Sequence, residues 1–109
     1  MESIFNLEEL LEKSKSSNQQ YNEFLKVPSM SVGIYELKAG DVDTQKPHTE
    51  DELYYIIEGE SQMFVGEKHF SVKAGSFVFV EKNVEHRFYD IEKDLTIIVF
   101  FSPAEYTNA

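Results

Sequence analysis

Two histidines and one glutamate, His48, His86 and Glu52, have side chains suited to holding a metal ion. His48 and Glu52 are four residues apart, just before a run rich in β-branched and aromatic residues. If the chain is extended there, residues two apart face the same way, so both point to the side of Tyr54. An imidazole and a carboxylate are costly in an apolar interior unless they are paired or coordinated. A divalent metal ion would meet that requirement.

The third candidate ligand, His86, begins a second β-rich run. Together with His48 and Glu52 it makes a set of two nitrogens and one carboxylate, which suits Fe(II), Mn(II), Zn(II) or Ni(II). Spacing alone leaves an alternative to metal binding open: His48 and Glu52 are polar surface groups at the point where a strand begins. The remaining histidine, His69, lies in a hairpin segment and is predicted to be ordinary surface.

The elements that must position these residues are short strands. From Ser29 onward, β-branched and aromatic segments alternate with Gly, Asn, Asp or Lys at close intervals. This pattern predicts an all-β fold, a small antiparallel β-barrel or sandwich, rather than alternating strands and helices. Strand turns are predicted at Gly40, Gly59, Gly66 and Gly75.

The beginning of the chain has a different character. Leu7, Leu10 and Leu11 fall on one helical face, which predicts a short amphipathic helix followed by a polar linker. We therefore expect an N-terminal helix and linker at residues 1–28 and a β-barrel domain at residues 29–109. The helix is expected to pack outside the barrel.

Composition excludes several classes of partner. The formal net charge of −10 argues against nucleic acid, whose recognition needs clustered Lys and Arg. No apolar run approaches the roughly 20 residues needed to span a membrane, and the N-terminus lacks the apolar segment of a signal peptide. The chain also contains no Cys. We therefore expect a cytoplasmic protein without a nucleic-acid or membrane partner.

The spacing of the site residues resembles that of the cupin superfamily, small β-barrels marked by two motifs. The matching positions are Gly40, His48, Glu52 and Gly59 in the first motif and Gly75 and His86 in the second. Glu81, Asn83 and Asp90 stand where the second motif has Pro, Gly and Asn. The resemblance covers roughly residues 29–101 and implies a jelly-roll barrel.

The resemblance implies one divalent metal ion (Fe, Mn, Zn or Ni) held by His48, Glu52 and His86. Lys46 occupies the place of the first motif histidine, usually a ligand, and a protonated amine is a poor ligand. Two outcomes are open. The site keeps three protein ligands and open coordination positions, or it has lost the metal and Lys46 pairs with Glu50, with Glu52 or with an anionic ligand.

The resemblance does not choose a reaction, because cupins include dioxygenases, isomerases, epimerases and lyases. It implies a metal-dependent small-molecule enzyme, with Tyr54 or Lys46 as candidate proton donor or anion anchor. The alternatives are a non-catalytic barrel that senses or stores a small ligand or a metal, and a degenerate barrel with a structural role. Aromatic and sulfur-containing side chains are candidates for lining a ligand cavity, although each is also explained by core packing: Tyr35, Tyr54, Met63, Phe77 and Phe88.

A homodimer is also expected. Residues 95–101, LTIIVFF, are apolar at nearly every position, so both faces of this strand require burial. The interior of one barrel covers only one face. Cupins often pair their barrels, and the resemblance therefore implies a second copy of the chain on the other face.

Overall fold

Six antiparallel strands and one helix make up the computed structural model, which describes residues 2–107. Helix α1 spans Leu7–Ser16, and the strands are β1 (Tyr21–Val27), β2 (Met30–Leu37), β3 (Asp51–Val65), β4 (Lys68–Lys73), β5 (Phe77–Val80) and β6 (His86–Ser102). The strands follow the order β1-β2-β6-β3-β4, and β5 pairs with β3. The predicted all-β, barrel-like fold with an N-terminal helix outside is confirmed; the rolled sheet stays open.

Two long strands form the centre of the sheet. β3 has 15 residues and β6 has 17, and they pair with each other along both halves of their length. Their register shifts between Ile56 and Gln62, where β3 bends. Gly59 lies in this bend with φ of +103°, and a Cβ there would lie 2.4 Å from the carbonyl oxygen of Asp94. The turn expected at Gly59 is therefore wrong: the residue bends one continuous strand.

The interior of the roll is filled by alternate residues of these strands. Along β3, Glu52, Tyr54 and Ile56 are buried, whereas the residues between them are at least partly exposed. The large apolar side chains of β3 and β6 that are at most 1% exposed are those of Tyr54, Ile56, Met63, Phe88, Leu95 and Ile97. Side chains that alternate along one strand thus carry both the apolar core and a buried carboxylate.

The sheet begins before the point at which the sequence pattern predicted it. β1 lies in the segment interpreted as helix and linker, and it pairs with β2 so that Tyr21 faces Tyr35. Its side chains are half-buried rather than strictly alternating, which explains why the pattern was missed. Helix α1 packs against these two strands, where the Ser14 hydroxyl donates to Glu36 at 2.7 Å. Among residues 2–107 no helix has the length and apolar character to cross a membrane.

Candidate metal centre

The three candidate ligands come from different parts of the fold. Glu52 lies near the start of β3, and His48 lies in the loop before it. His86 begins β6 and pairs with Val65 at the far end of β3. Because the sheet is rolled, His86 reaches Glu52 across the interior and not along the sheet. The fold brings together residues that are 34 positions apart, from 52 to 86.

The two histidines converge on one carboxylate oxygen. The Nδ1 atom of His48 and the Nε2 atom of His86 each lie 3.2 Å from Oε2 of Glu52. One ligand atom from each of the three residues lies within 4.8 Å of the others. The side chains of Glu52 and His86 are 1% and 0% exposed, and that of His48 is 14% exposed. The cluster is therefore buried on the interior side and open only near His48.

The second nitrogen of each histidine is held by an acceptor. Nδ1 of His86 donates to the carbonyl oxygen of Val84 at 3.0 Å, and Nε2 of His48 lies 3.0 Å from Oε2 of Glu105. A proton on each of these nitrogens leaves the lone pair of the other nitrogen facing Glu52. Histidines that bind metals are held in this way, with the non-ligating N–H bonded to a carbonyl or a carboxylate.

The loop that carries His48 is fixed from the opposite side. The carbonyl oxygen of His48 accepts a hydrogen bond from the backbone N–H of Asn83 at 2.7 Å. Asn83 has φ of +64°, a left-handed conformation that Asn adopts more readily than most residues. This explains how Asn replaces the Gly of the second motif.

Acceptors outnumber donors around the hydroxyl of Tyr54. That oxygen lies 3.0 Å from Oε1 of Glu52, 3.0 Å from Nε2 of His86 and 3.1 Å from Oε1 of Gln45. The Gln45 amide is oriented by its N–H group, which donates to Asp43 at 3.0 Å. A tyrosine hydroxyl carries one proton, so it cannot satisfy all of these lone pairs. The cluster therefore lacks a donor, which a bound cation or an additional proton would supply.

These residues fit a divalent metal ion. Nδ1 of His48 is buried and forms no hydrogen bond, although it lies 3.2 Å from Glu52. Metal–ligand bonds of about 2.1 Å place neighbouring ligand atoms about 3.0–3.4 Å apart, which matches the 3.2 Å from each histidine nitrogen to Oε2 of Glu52. A proton is the alternative to a metal ion: burial lowers the pKa of His48, but the nearby carboxylates of Glu105 and Glu52 outweigh it and raise that pKa to about 9.

A pocket of about 510 Å³ lies beside His48. The side chains that line it are Tyr21, Tyr35, Thr44, Gln45, Lys46, Pro47, His48, Thr49, Glu50, Val99, Phe101, Glu105 and Tyr106. The hydroxyl of Tyr21 is buried without a hydrogen-bond partner. Lys46 is exposed at the rim. Tyr54 is fully buried and is not part of this lining.

The other residues predicted to line a cavity lie in the core, in the pocket wall or on the surface. Met63 and Phe88 are buried in the core, as the packing interpretation predicted. Tyr35 lines the pocket, and its hydroxyl donates to Asp43 at 3.0 Å. Phe77 is 66% exposed on the outer face of β5, so its assignment to a cavity is wrong. Its position in β5 places it on the face opposite that of Val78, which is buried.

Sequence reasoning missed two residues that build the site, Asp43 and Glu105. Asp43 is buried and accepts hydrogen bonds from the Phe88 backbone and the Tyr35 hydroxyl, and so fixes the loop that carries Gln45. Glu105 reaches His48 from the chain that follows β6. Neither lies in a periodic segment or at a motif position, so no sequence signal identified them.

Comparison with known proteins shows what this chain is similar to. The family model for the cupin domain matches residues 33–101. An uncharacterized protein of Streptomyces coelicolor is 42% identical over 101 residues, which cover 93% of this chain and 96% of that protein. A Bacillus halodurans structure matches with a TM-score of 0.76 and 13% identity, covering 93% of this chain and 80% of that one. The structure of an RmlC-like cupin family protein with a double-stranded β-helix fold, from Methanocaldococcus jannaschii, matches with a TM-score of 0.69 and 18% identity. The match covers 79% of this chain and 84% of that one.

Proposed function

The chain belongs to the cupin family, and on that premise we propose that it binds one divalent metal ion for chemistry on a small organic molecule. The proposed ligands are His48, Glu52 and His86, whose ligand atoms lie within 4.8 Å of one another. That convergence in a buried, acceptor-rich cluster is the observation that carries the proposal. A bound divalent ion supplies a Lewis acid that polarises an oxygen of the ligand.

Residues around the metal centre are suited to binding the small molecule and to orienting the metal ligands. A pocket of about 510 Å³ beside His48 has the volume of a small-molecule site. Lys46 at its rim offers a positive charge to an anionic group of the ligand. Burial and the charge of Glu52 raise the pKa of Tyr54 well above its usual value, so its hydroxyl stays protonated. Tyr54 then holds Glu52 in place by donating a hydrogen bond to it.

A catalytic role is favoured over simple storage of the ligand. Three protein ligands leave coordination positions open, as in metal sites that bind a substrate directly. His48 is the proposed ligand that lines the pocket, so a small molecule bound in the pocket would lie next to the metal centre. A non-catalytic barrel that binds or senses its ligand remains the alternative. Turnover on a panel of small organic substrates with added Fe(II) separates the two, because a binding protein gives a thermal shift without turnover.

Metal content per chain tests the proposed ligands. The unmodified protein, purified without chelator or affinity tag, is expected to carry about one ion per chain, and His86→Ala should be largely empty, because one of three protein bonds is lost. His69→Ala is the matched control, since His69 is exposed and contacts Tyr89 on the outer surface. An empty unmodified protein, or His86→Ala that retains its metal after equal dialysis, contradicts the proposal.

We further propose that the chain forms a homodimer through the outer face of β5 and β3. Phe77 and Phe79 are 66% and 60% exposed, and Leu53, which pairs with Phe79, is 37% exposed. Tyr55 packs on Phe77 with ring centroids 4.5 Å apart and extends the same face. An apolar patch of this kind on a chain of net charge −10 marks an interaction surface. A second copy offers a matching apolar surface.

A further inference from the structure

The chain that follows β6 folds back over the open side of the metal centre. Three backbone N–H groups of this segment are anchored. Ala104 donates to the carbonyl oxygen of Pro28 at 3.4 Å, and Glu105 donates to the hydroxyl of Ser31 at 2.9 Å. The N–H of the next residue, Tyr106, donates to Oε1 of Glu50 at 3.0 Å. The segment is therefore fixed to the turn between β1 and β2, to β2 itself and to the loop before β3.

This anchoring places the side chain of Glu105 against His48. The Glu105 residue is only 6% exposed, and its Oε2 atom lies 3.0 Å from Nε2 of His48. His48 is thus held between two carboxylates, with Glu105 on the pocket side and Glu52 on the interior side. A carboxylate only accepts hydrogen bonds, so it favours the form of His48 in which Nε2 carries the proton.

We propose that Glu105 is a positioning residue that holds His48 with Nε2 protonated and directs the lone pair of Nδ1 toward Glu52. The inference rests on the proposed metal site. Glu105 does not touch the metal ligand atoms of the other two residues; it acts through His48. Partners of this kind fix both the ring orientation and the protonated nitrogen of a histidine ligand, and their loss weakens metal binding about 10–100-fold.

The position of Glu105 makes it suited to this role. The backbone of Glu105 is hydrogen-bonded to Ser31, which is fully buried in β2. The contact of its carboxylate with His48 therefore costs little additional conformational entropy. His48 itself lies in a loop without regular secondary structure and is fixed by its carbonyl oxygen rather than by a strand. The imidazole of His48 therefore needs a second constraint, and Glu105 supplies it.

Zinc affinity of three variants tests the proposal, measured by competition with a chromophoric chelator. Glu105→Leu removes the acceptor, and its dissociation constant is expected to rise about 10–100-fold. Glu105→Gln keeps a carbonyl oxygen that accepts the same hydrogen bond, so it should stay within about threefold of the unmodified protein. Glu67→Gln removes the same charge from an exposed turn and is the matched control.

Nitrogen NMR of the zinc-loaded, unmodified protein provides a readout that needs no variant. The expected result is a proton on Nε2 of His48 and zinc on Nδ1. Zinc bound through Nε2 overturns the inference, and so does unchanged affinity in Glu105→Leu. Equal losses in Glu105→Leu and Glu105→Gln also overturn it, because they show that charge alone acts. If the unmodified protein binds no zinc, the proposed function fails as well, whereas the other outcomes leave it standing.

Discussion

His48 is expected to make the stability of the metal-free protein depend on pH. Without metal its imidazolium lies 3.2 Å from a Glu52 oxygen and 3.0 Å from a Glu105 oxygen. Burial opposes that charge, but the two carboxylates outweigh it and raise the pKa of His48 from 6.5 to about 9. A folded-state pKa above the unfolded value means that the stabilisation is complete below about pH 6.5 and is lost as the pH rises through about 9.

The size of the effect follows from the two pKa values. A rise from 6.5 to about 9 corresponds to roughly 3 kcal/mol in the free energy of unfolding. The His48 side chain is 14% exposed, so solvent screens its pairing only weakly. For a domain that is stable by about 5–15 kcal/mol, this is a substantial fraction.

Urea unfolding in the presence of a chelator measures this dependence at several pH values from about 6 to 10. The unmodified protein should lose roughly 3 kcal/mol over that range relative to His48→Gln, whose side chain does not titrate. His69→Gln serves as the control and should follow the unmodified protein, because His69 is exposed on the outer surface. Parallel pH profiles for the unmodified protein and His48→Gln would refute the reasoning, because the charge on His48 would then make no contribution to the free energy of unfolding.

Three further substitutions test the site, the bend and the outer face. Lys46→Gln should leave the zinc content per chain unchanged in elemental analysis, because Lys46 is exposed at the pocket rim; a loss of zinc would place its amine in the metal centre. Gly59→Ala adds a Cβ 2.4 Å from the carbonyl oxygen of Asp94 at φ of +103°, and should lower the urea-unfolding free energy by about 3 kcal/mol, well above the effect of an ordinary surface change. Phe77→Ser combined with Phe79→Ser should convert a dimer into a monomer in light scattering, and an unchanged mass would exclude this face as the interface.

The inward direction of Glu52 could be predicted from local alternation alone. Side chains in an extended segment alternate between faces, so Glu52 had to share the side of Tyr54 once the run was recognised as a strand. The convergence of His86 on Glu52 required more, because their contact crosses the rolled sheet. Only the resemblance to a family with two motifs connected these distant residues, since spacing alone left a surface location open.

The lengths of the strands were harder to predict. Gly59 was interpreted as a turn because Gly often interrupts a strand, yet the chain bends there and continues as one strand of 15 residues. The first half of β3 pairs with β5 and the second half pairs with β4, so each half has its own neighbour. β1 was missed because its half-buried side chains give a weak alternating pattern, although it forms a hairpin with β2, which begins three residues after β1 ends.

The loop before β3 shows where alternation stops being informative. Because Lys46 and His48 are two residues apart, an extended chain would place their side chains on the same side. This loop has no regular structure, however, and Lys46 is exposed. Gln45 instead reaches Tyr54, because buried Asp43 anchors the loop and binds the Gln45 amide. Within residues 2–107, the basic side chains that contact Glu52 are those of His48 and His86, so Lys46 does not supply the donor that is lacking there. That role is left to a proton on His48 or to a metal ion, and these two compete for the same lone pair.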